Sequence, residues 1–318
     1  MPAPLVSILI PCYNAAPWLA QTLESALAQS WKPLEIIVVN DGSSDGSRGI
    51  LRRYEPRGVR VIDQPNAGQS AAFNRAIAAA AGKYLEFLDA DDLLAPDKVA
   101  LQVERLEREP PGTIASGEWG RFQDDPARTD FRPNDLWVDL EPVEWLCRAW
   151  VANNMMHGAA YLVPAELVRV AGGWREELTL INDFEFFSRL MLAARKIAFC
   201  PGARSHYRSA VAGSLSRSDS EAAWGSAFRS LELGTSRLLA REDSARTRRT
   251  CAAVWRVFVH DSYPAVPRLR REAEARVRAL GEEVGMPARG PRFQLAARWI
   301  GWRAAKRLQR LRARLFTP

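Results

Sequence analysis

The chain has little cysteine. Cys12, Cys147, Cys200 and Cys251 are scattered over 318 residues without a C-x-x-C pair, which excludes the disulfide framework of small secreted domains. Reduced thiols in a cytoplasmic setting are the expectation. Long apolar runs are also missing, since no stretch approaches the roughly 18 apolar residues of a membrane-spanning helix. The N-terminal MPAPLVSILIPCYN has no basic residue ahead of its apolar run and stops at Pro11 without a small-residue cleavage pattern, so it reads as a first strand and not as a targeting segment. Glycines are absent where phosphate loops need them. The turn after that strand is PCYN, which excludes both the dinucleotide fingerprint and the G-x-x-x-x-G-K-[ST] loop. Acidic residues are absent from Val284 onward, while Arg289, Arg292, Arg298, Arg303, Lys306, Arg307, Arg310, Arg312 and Arg314 follow it. The net charge of +7 therefore resides in this tail. A nearly neutral body gives no sign of a nucleic-acid partner.

What is present is a chain that is 47% hydrophobic, ample for a packed α/β core with additions. Leu5–Ile10, Glu35–Asn40, Val59–Asp63 and Lys83–Asp89 are short Val-, Ile- and Leu-rich runs suited to a parallel sheet covered on both faces. Helical periods separate them. Leu19, Leu23 and Leu27 follow Pro17; Ala72, Phe73, Ala76, Ile77 and Ala80 precede Gly82, read as a C-terminal cap; Val99, Val103 and Leu106 follow Pro96. This βαβ series fills residues 1–110; 111–215 loses the rhythm and is richer in tryptophan and proline, and 216–318 is a helical remainder broken near Ser262–Pro267 and Gly285–Pro291.

In such sheets ligands bind beyond the carboxyl ends of the strands. There the chain places Pro11-Cys12-Tyr13-Asn14, Asn40-Asp41-Gly42-Ser43-Ser44-Asp45, Asn66-Ala67-Gly68-Gln69-Ser70 and Asp89-Ala90-Asp91-Asp92. With Glu86, the last stretch crowds four carboxylates into seven positions. Two such charges about 4 Å apart repel by roughly 4 kcal/mol at an effective dielectric near 20. Something positive is expected beside them, and aspartate oxygens at a sheet mouth suit Mg²⁺ or Mn²⁺ carrying substrate phosphates.

The segments VSILIPCYN, EIIVVNDGSSDGS, NAGQSAAFNRAIAAAAGKYLEFLDADD and GGWREELTLINDFEFFSRL, in this order, resemble the inverting family 2 glycosyltransferases of the GT-A fold over about residues 5–210. The resemblance implies transfer of a sugar from a nucleotide-diphospho-sugar, UDP favoured, to an acceptor hydroxyl, in polysaccharide or glycolipid assembly. It implies that Asp89 and Asp91 hold the metal, Asp89 lying nearer the ribose and Asp92 supporting them. Pro11, Tyr13, Asn14, Asp41, Asn66 and Gly68 would contact the nucleotide, and Asp183 would be the general base, with Glu185 as the fallback. Ordinary turn chemistry and helix capping could also account for Asp41, and the start of an amphipathic helix for Asp183. Two departures stand out. Asn182 occupies the place of the usual glutamate, removing a charge that could raise the base's pKa, and Phe73 stands before Asn74 where relatives commonly have an arginine, so that polar contact is either missing or supplied by Arg75. His206-Tyr207-Arg208 resembles a segment that closes over the diphosphate, without the usual residue order.

Two rivals are weighed. A nucleotidyltransferase would need a glycine-rich basic loop where PCYN stands, and a non-catalytic protein that retains the fold and binds a membrane has no reason to maintain mutually repelling acids. In the tail, Phe293, Ala297, Ile300, Ala304, Leu308, Leu311 and Leu315 predict one apolar helical stripe among basic residues. Such a helix suits either an anionic membrane surface on the cytoplasmic side, with a lipid-linked or saccharide acceptor, or packing on the domain.

Overall fold

The structure, a computed structural model, describes residues 2–154, 157–210, 218–285 and 291–316, with side chains in the last of these segments described over 293–309. The strands are β1 (Val6–Cys12), β2 (Leu34–Asp41), β3 (Val59–Gln64), β4 (Tyr84–Phe87), β5 (Leu93–Leu94), β6 (Thr113–Phe122), β7 (Asp130–Phe131), β8 (Tyr161–Pro164) and β9 (Lys196–Arg208). The helices are α1 (Leu19–Leu27), α2 (Ser47–Tyr54), α3 (Gln69–Ala79), α4 (Lys98–Leu106), α5 (Pro142–Val151), α6 (Ala165–Ala171), α7 (Asn182–Ala193), α8 (Glu221–Arg241), α9 (Ala245–Asp261), α10 (Pro267–Ala279), α11 (Pro291–Ile300) and α12 (Trp302–Phe316).

One sheet carries the fold, in the order β3-β2-β1-β4-β8-β6-β9-β5, with β7 on β6. The first four strands are parallel, as their apolar runs predict. β8 then joins β4 antiparallel, so the regions on either side of residue 110 share a single sheet. Strand alternation divides the core. Ile8, Ile10, Ile36 and Val38 face α1, α2 and α4, whereas Leu9, Ile37, Val39, Leu85 and Phe87 face α3, α5, α7 and the C-terminal helices. Trp145, Trp150 and Trp174 fill that second layer. Gly82 is not a helix cap: α3 ends at Ala79, and a Cβ at Gly82 would lie 2.4 Å from Ser7 Oγ. Close strand approach is what requires the glycine there.

The tail is two helices and not one, because Gly301 (φ +77°) breaks it. Trp302 packs on His260 and Tyr263, Arg303 reaches Glu274, and Ala305 is buried. In α12 the packed side is therefore the one opposite the predicted stripe, whereas in α11 the stripe residue Phe293 packs on the His260 ring. Leu295, Trp299, Ile300 and Leu308 remain exposed, Trp299 by 84%. Arg289 lies outside the described residues, as do the side chains of Leu311 and Leu315.

Candidate active site

The four acids of 86–92 separate into two groups. Glu86 faces the α1–α4 side of the sheet, where it forms a fully buried ion pair with Lys98. The other three occupy the turn after β4, which is closed by Asp92 N–H donating to the Asp89 carbonyl (3.1 Å) and tied to α1 by Thr22 Oγ1 donating to the Ala90 carbonyl (2.9 Å). The expected positive charge is partly Arg208. Its backbone N–H donates to Asp92 Oδ1 (2.7 Å) and its Nε to the Asp91 carbonyl (2.9 Å), while its remaining nitrogens reach Gln123 O and Gln21 Oε1. The guanidinium sits over Trp18 and Phe122. Arg208 thus binds the turn itself, through its backbone N–H and its Nε.

Asp89, Asp91 and Asp183 remain the candidate reacting group. Burial raises the Asp89 carboxyl, and the charges of Asp91 and Asp183 raise it further. Burial likewise raises Asp91, and it pushes Asp183 up to about 6. These shifts show that acids from two distant segments share one poorly solvated site. Among the described residues no three His, Cys, Asp or Glu side chains could hold an ion on protein ligands alone. One or two carboxylates with open positions nevertheless fit Mg²⁺ or Mn²⁺, which keeps waters and takes substrate phosphates as ligands.

A hydrogen-bond chain joins the two segments. Gln69 Nε2 donates to Asp89 Oδ1 (2.8 Å), and Asn182 Nδ2 donates to Gln69 Oε1 (3.2 Å) and Ser70 Oγ (3.0 Å). Asn182 Oδ1 accepts from Asp183 N–H (3.0 Å). Asn182 is therefore a strut and not a missing acid, and burial supplies the shift that a glutamate's charge would have supplied. Ahead of it, Ile181 is left-handed (φ 51°, ψ 36°), a conformation costing about 1–3 kcal/mol for a branched residue.

Glu185 is not placed as an alternative base. Two residues along a helix turn it roughly 200° from Asp183, and its buried carboxylate is bound by Arg175, Arg189 and Arg237. Burial alone would raise it, but the Arg189 and Arg237 guanidinium groups hold it below the usual range. His206 is likewise occupied elsewhere: its Nδ1 is 2.7 Å from Thr129 Oγ1 and its ring packs on Phe122 and Phe131. Phe73 stacks on Trp174, and Asn74 binds the Trp174 backbone and Glu176, so that pair secures the loop before α7.

On the nucleotide side, Asp41 does not cap α2. Its carboxylate accepts from Ala67 N–H (2.8 Å), Gly68 N–H (2.9 Å) and Gln64 Nε2 (2.8 Å), and Asn66 Nδ2 donates to its carbonyl. Asn14 Oδ1 accepts from Ser44 and Asp45 N–H. Asp41 and Asn14 therefore join three strand-end loops into one wall. Pro11 is buried in β1, whereas Tyr13 stands 54% exposed beside it.

Sequence reasoning missed a cluster beyond the acids. Tyr207 feels the charges of Asp92, Asp89 and Asp91. Around it are His157 (5.3 Å between ring centroids), Trp119 (6.3 Å) and the Arg121 guanidinium (4.9 Å). Burial lowers His157 to about 3, so a neutral imidazole lies 3.6 Å from Asp92 Oδ2. Tyr207 carried a sequence signal through the HYR segment and Trp119 through the tryptophan-rich middle region, but no local pattern joined them to His157 and Arg121.

Comparison with known proteins agrees with this geometry. Residues 7–159 match the family described as Glycosyl transferase family 2. An uncharacterized glycosyltransferase of Rickettsia typhi is 30% identical over 190 residues, 59% of each chain. The chain spans less than two thirds of the length of the curated relatives it matches first. Residues 1–349 of S. aureus TarS in complex with UDP-GlcNAc superpose with a TM-score of 0.68 at 15% identity, covering 96% of this chain and 91% of that one. The mannosyltransferase PcManGT of Pyrobaculum calidifontis, in complex with GDP-Man and Mn²⁺, gives 0.55 at 19% identity, covering 97% and 87%. Residues 7–159 are thus a match to glycosyl transferase family 2, in a chain with a GT-A fold and a helical C-terminal region.

Proposed function

We propose that the chain transfers a sugar from a nucleoside-diphosphate sugar, UDP favoured, to an acceptor hydroxyl with inversion, in polysaccharide or glycolipid assembly. The observation that carries this reading is the poorly solvated meeting of Asp89 and Asp91 with Asp183, from segments about ninety positions apart. Asp183 takes the acceptor proton, and a carboxylate whose pKa is near 6 does so effectively close to neutral pH. The Asp41–Asn66–Gly68 wall and Tyr13 receive the nucleotide, the exposed ring offering a stacking face. Asp89 and Asp91 would hold Mn²⁺ or Mg²⁺, which when bound would take up negative charge on the departing diphosphate. Arg208 and Asp92 keep their turn in shape. The TarS and PcManGT complexes support donor and metal by likeness of fold.

A screen of nucleotide-sugars for Mn²⁺-dependent release of nucleoside diphosphate tests the reading and identifies the donor. In calorimetry, Asp91→Asn should lose most metal-dependent UDP affinity while the fold persists. Unchanged affinity in that variant would remove the acid cluster from the diphosphate site.

A second reading concerns the tail, where exposed Leu295, Trp299, Ile300 and Leu308 stand among basic residues with no acid after Glu283. We infer that it rests on an anionic bilayer surface, which would place a lipid-linked or membrane-assembled acceptor beside the enzyme.

A further inference from the structure

One face of α8 follows the segment that carries Asp183. Ser226, Ser230, Gly234 and Arg237 recur at intervals of four, four and three, which places them on one side of the helix. Each meets a successive part of 179–185. Ser226 Oγ accepts from Thr179 N–H (2.7 Å), and Ser230 Oγ donates to the Ile181 carbonyl (2.7 Å). Gly234 lies against the Phe184 ring, where an added Cβ would come within 2.5 Å of Cε1. Arg237 pairs with Glu185.

These contacts differ from ordinary helix packing in what they hold. Apolar packing would anchor α7 through side chains such as Phe187 and Leu190, but here two hydroxyls fix the main chain before the helix begins. The second residue they hold, Ile181, is in the left-handed region, which a β-branched residue does not keep without outside restraint. On the opposite side, Asn182 is bonded to Ser70 and Gln69, and Ser70 Oγ donates to the Leu178 carbonyl (3.1 Å). The base segment is thus gripped between α3, which also reaches Asp89, and α8, which lies beyond the family match ending at residue 159.

We propose that α8 is a positioning element for the transfer reaction: Ser226 and Ser230 set the backbone of 179–181 so that Asp183 faces Asp89. The helical region after residue 216 then belongs to the catalytic unit. This rests on Asp183 as the base, and two independent readouts keep the ideas separable.

The variants are Ser230→Ala, Ser226→Ala with Ser230→Ala, and the conservative Ser230→Thr. Amide exchange followed by mass spectrometry should show faster exchange over 179–184 in the double variant, with β1–β4 protection unchanged. In the donor-release assay, kcat should fall on the order of 10- to 100-fold, as expected for a displaced reacting group, with donor KM and metal-dependent UDP affinity unchanged. Ser230→Thr, which keeps the hydroxyl, should restore both. Unchanged exchange over 179–184 overturns the clamp whether or not a donor has been found. A fall in kcat that merely tracks a lowered Tm, without rescue by threonine, overturns the positioning role. If Asp183→Asn keeps its kcat while the double variant loses it, the base assignment fails and the positioning of Asp183 fails with it.

Discussion

As the proposed base, Asp183 would serve catalysis at a cost to stability. Burial lifts it to about 6, from about 3.9 in an unfolded chain. A base must be ionised, so kcat should fall about tenfold per pH unit below pH 6, measured with saturating donor. The folded state holds this proton more tightly than the unfolded state does. Its contribution to stability is therefore complete below about pH 3.9 and is lost as pH rises through 6. Asp89, also raised by burial and by Asp91 and Asp183, acts in the same direction. At neutral pH the ionised site is a strain that the proposed cation and nucleotide would relieve, so Mn²⁺ with UDP should raise Tm more at pH 7.5 than at pH 5. Asp183→Asn should keep donor binding and raise Tm at pH 7.5, because it removes a buried ionised carboxylate, yet lower kcat by about 10²–10⁴-fold. Near-normal kcat with the true acceptor would end its assignment as base. Glu185 cannot inherit the role without breaking its bonds to three arginines.

At the scale of elements, the Glu86–Lys98 pair joins β4 to α4 inside the layer that faces α1. Both side chains are fully buried, and Glu86 Oε1 has no hydrogen-bond partner. Removing one partner from such a pair typically costs about 3–5 kcal/mol, whereas apolar replacement of both is often neutral or stabilising. Lys98→Met should therefore lower stability in urea unfolding far more than Glu86→Leu combined with Lys98→Met. Equal losses would show that the ion pair itself contributes net stability. Sequence reading grouped Glu86 with the aspartates because they are neighbours in the chain, and strand alternation separates them. β1–β4 were legible because each is a short run rich in Val, Ile, Leu or aromatic residues between turn residues. β5, two residues long, and β9, whose pairing with β6 shifts register between Gly117 and Glu118, offer no such run. The D-A-D turn and Asp183 could be located as motifs. Their link through Gln69 and Asn182 crosses 113 positions and leaves no local pattern.

For the molecule as a whole, the strand ends place Asp89, Asp91 and the wall joined by Asp41 and Asn14 along one edge, while the positive charge lies in the tail. The predicted stripe treated α11 and α12 as one helix, but Gly301 turns the chain, so Trp302 and Ala305 pack inward and Leu295, Trp299 and Ile300 stay outside. No described helix is long and apolar enough to cross a membrane, which leaves surface association as the form of contact such a tail could make with lipid. Exposed tryptophan and leucine would enter the headgroup boundary, with basic residues each adding about 1 kcal/mol near an anionic surface. Deleting the tail would be an ambiguous test, because it would also strip Trp302 from His260 and Tyr263. Leu295→Ser with Trp299→Ser removes only exposed apolar groups. Full-length protein should sediment with phosphatidylserine-containing vesicles at low salt, release as salt rises, and ignore purely zwitterionic ones. The double variant should bind at least about tenfold more weakly, as the loss of two buried apolar side chains implies, with nucleoside diphosphate release from the soluble donor unchanged. Full-length protein that ignores anionic vesicles at low salt would reduce the tail to a packing element. Equal binding by the double variant would make the attraction purely electrostatic and remove Trp299 as its anchor.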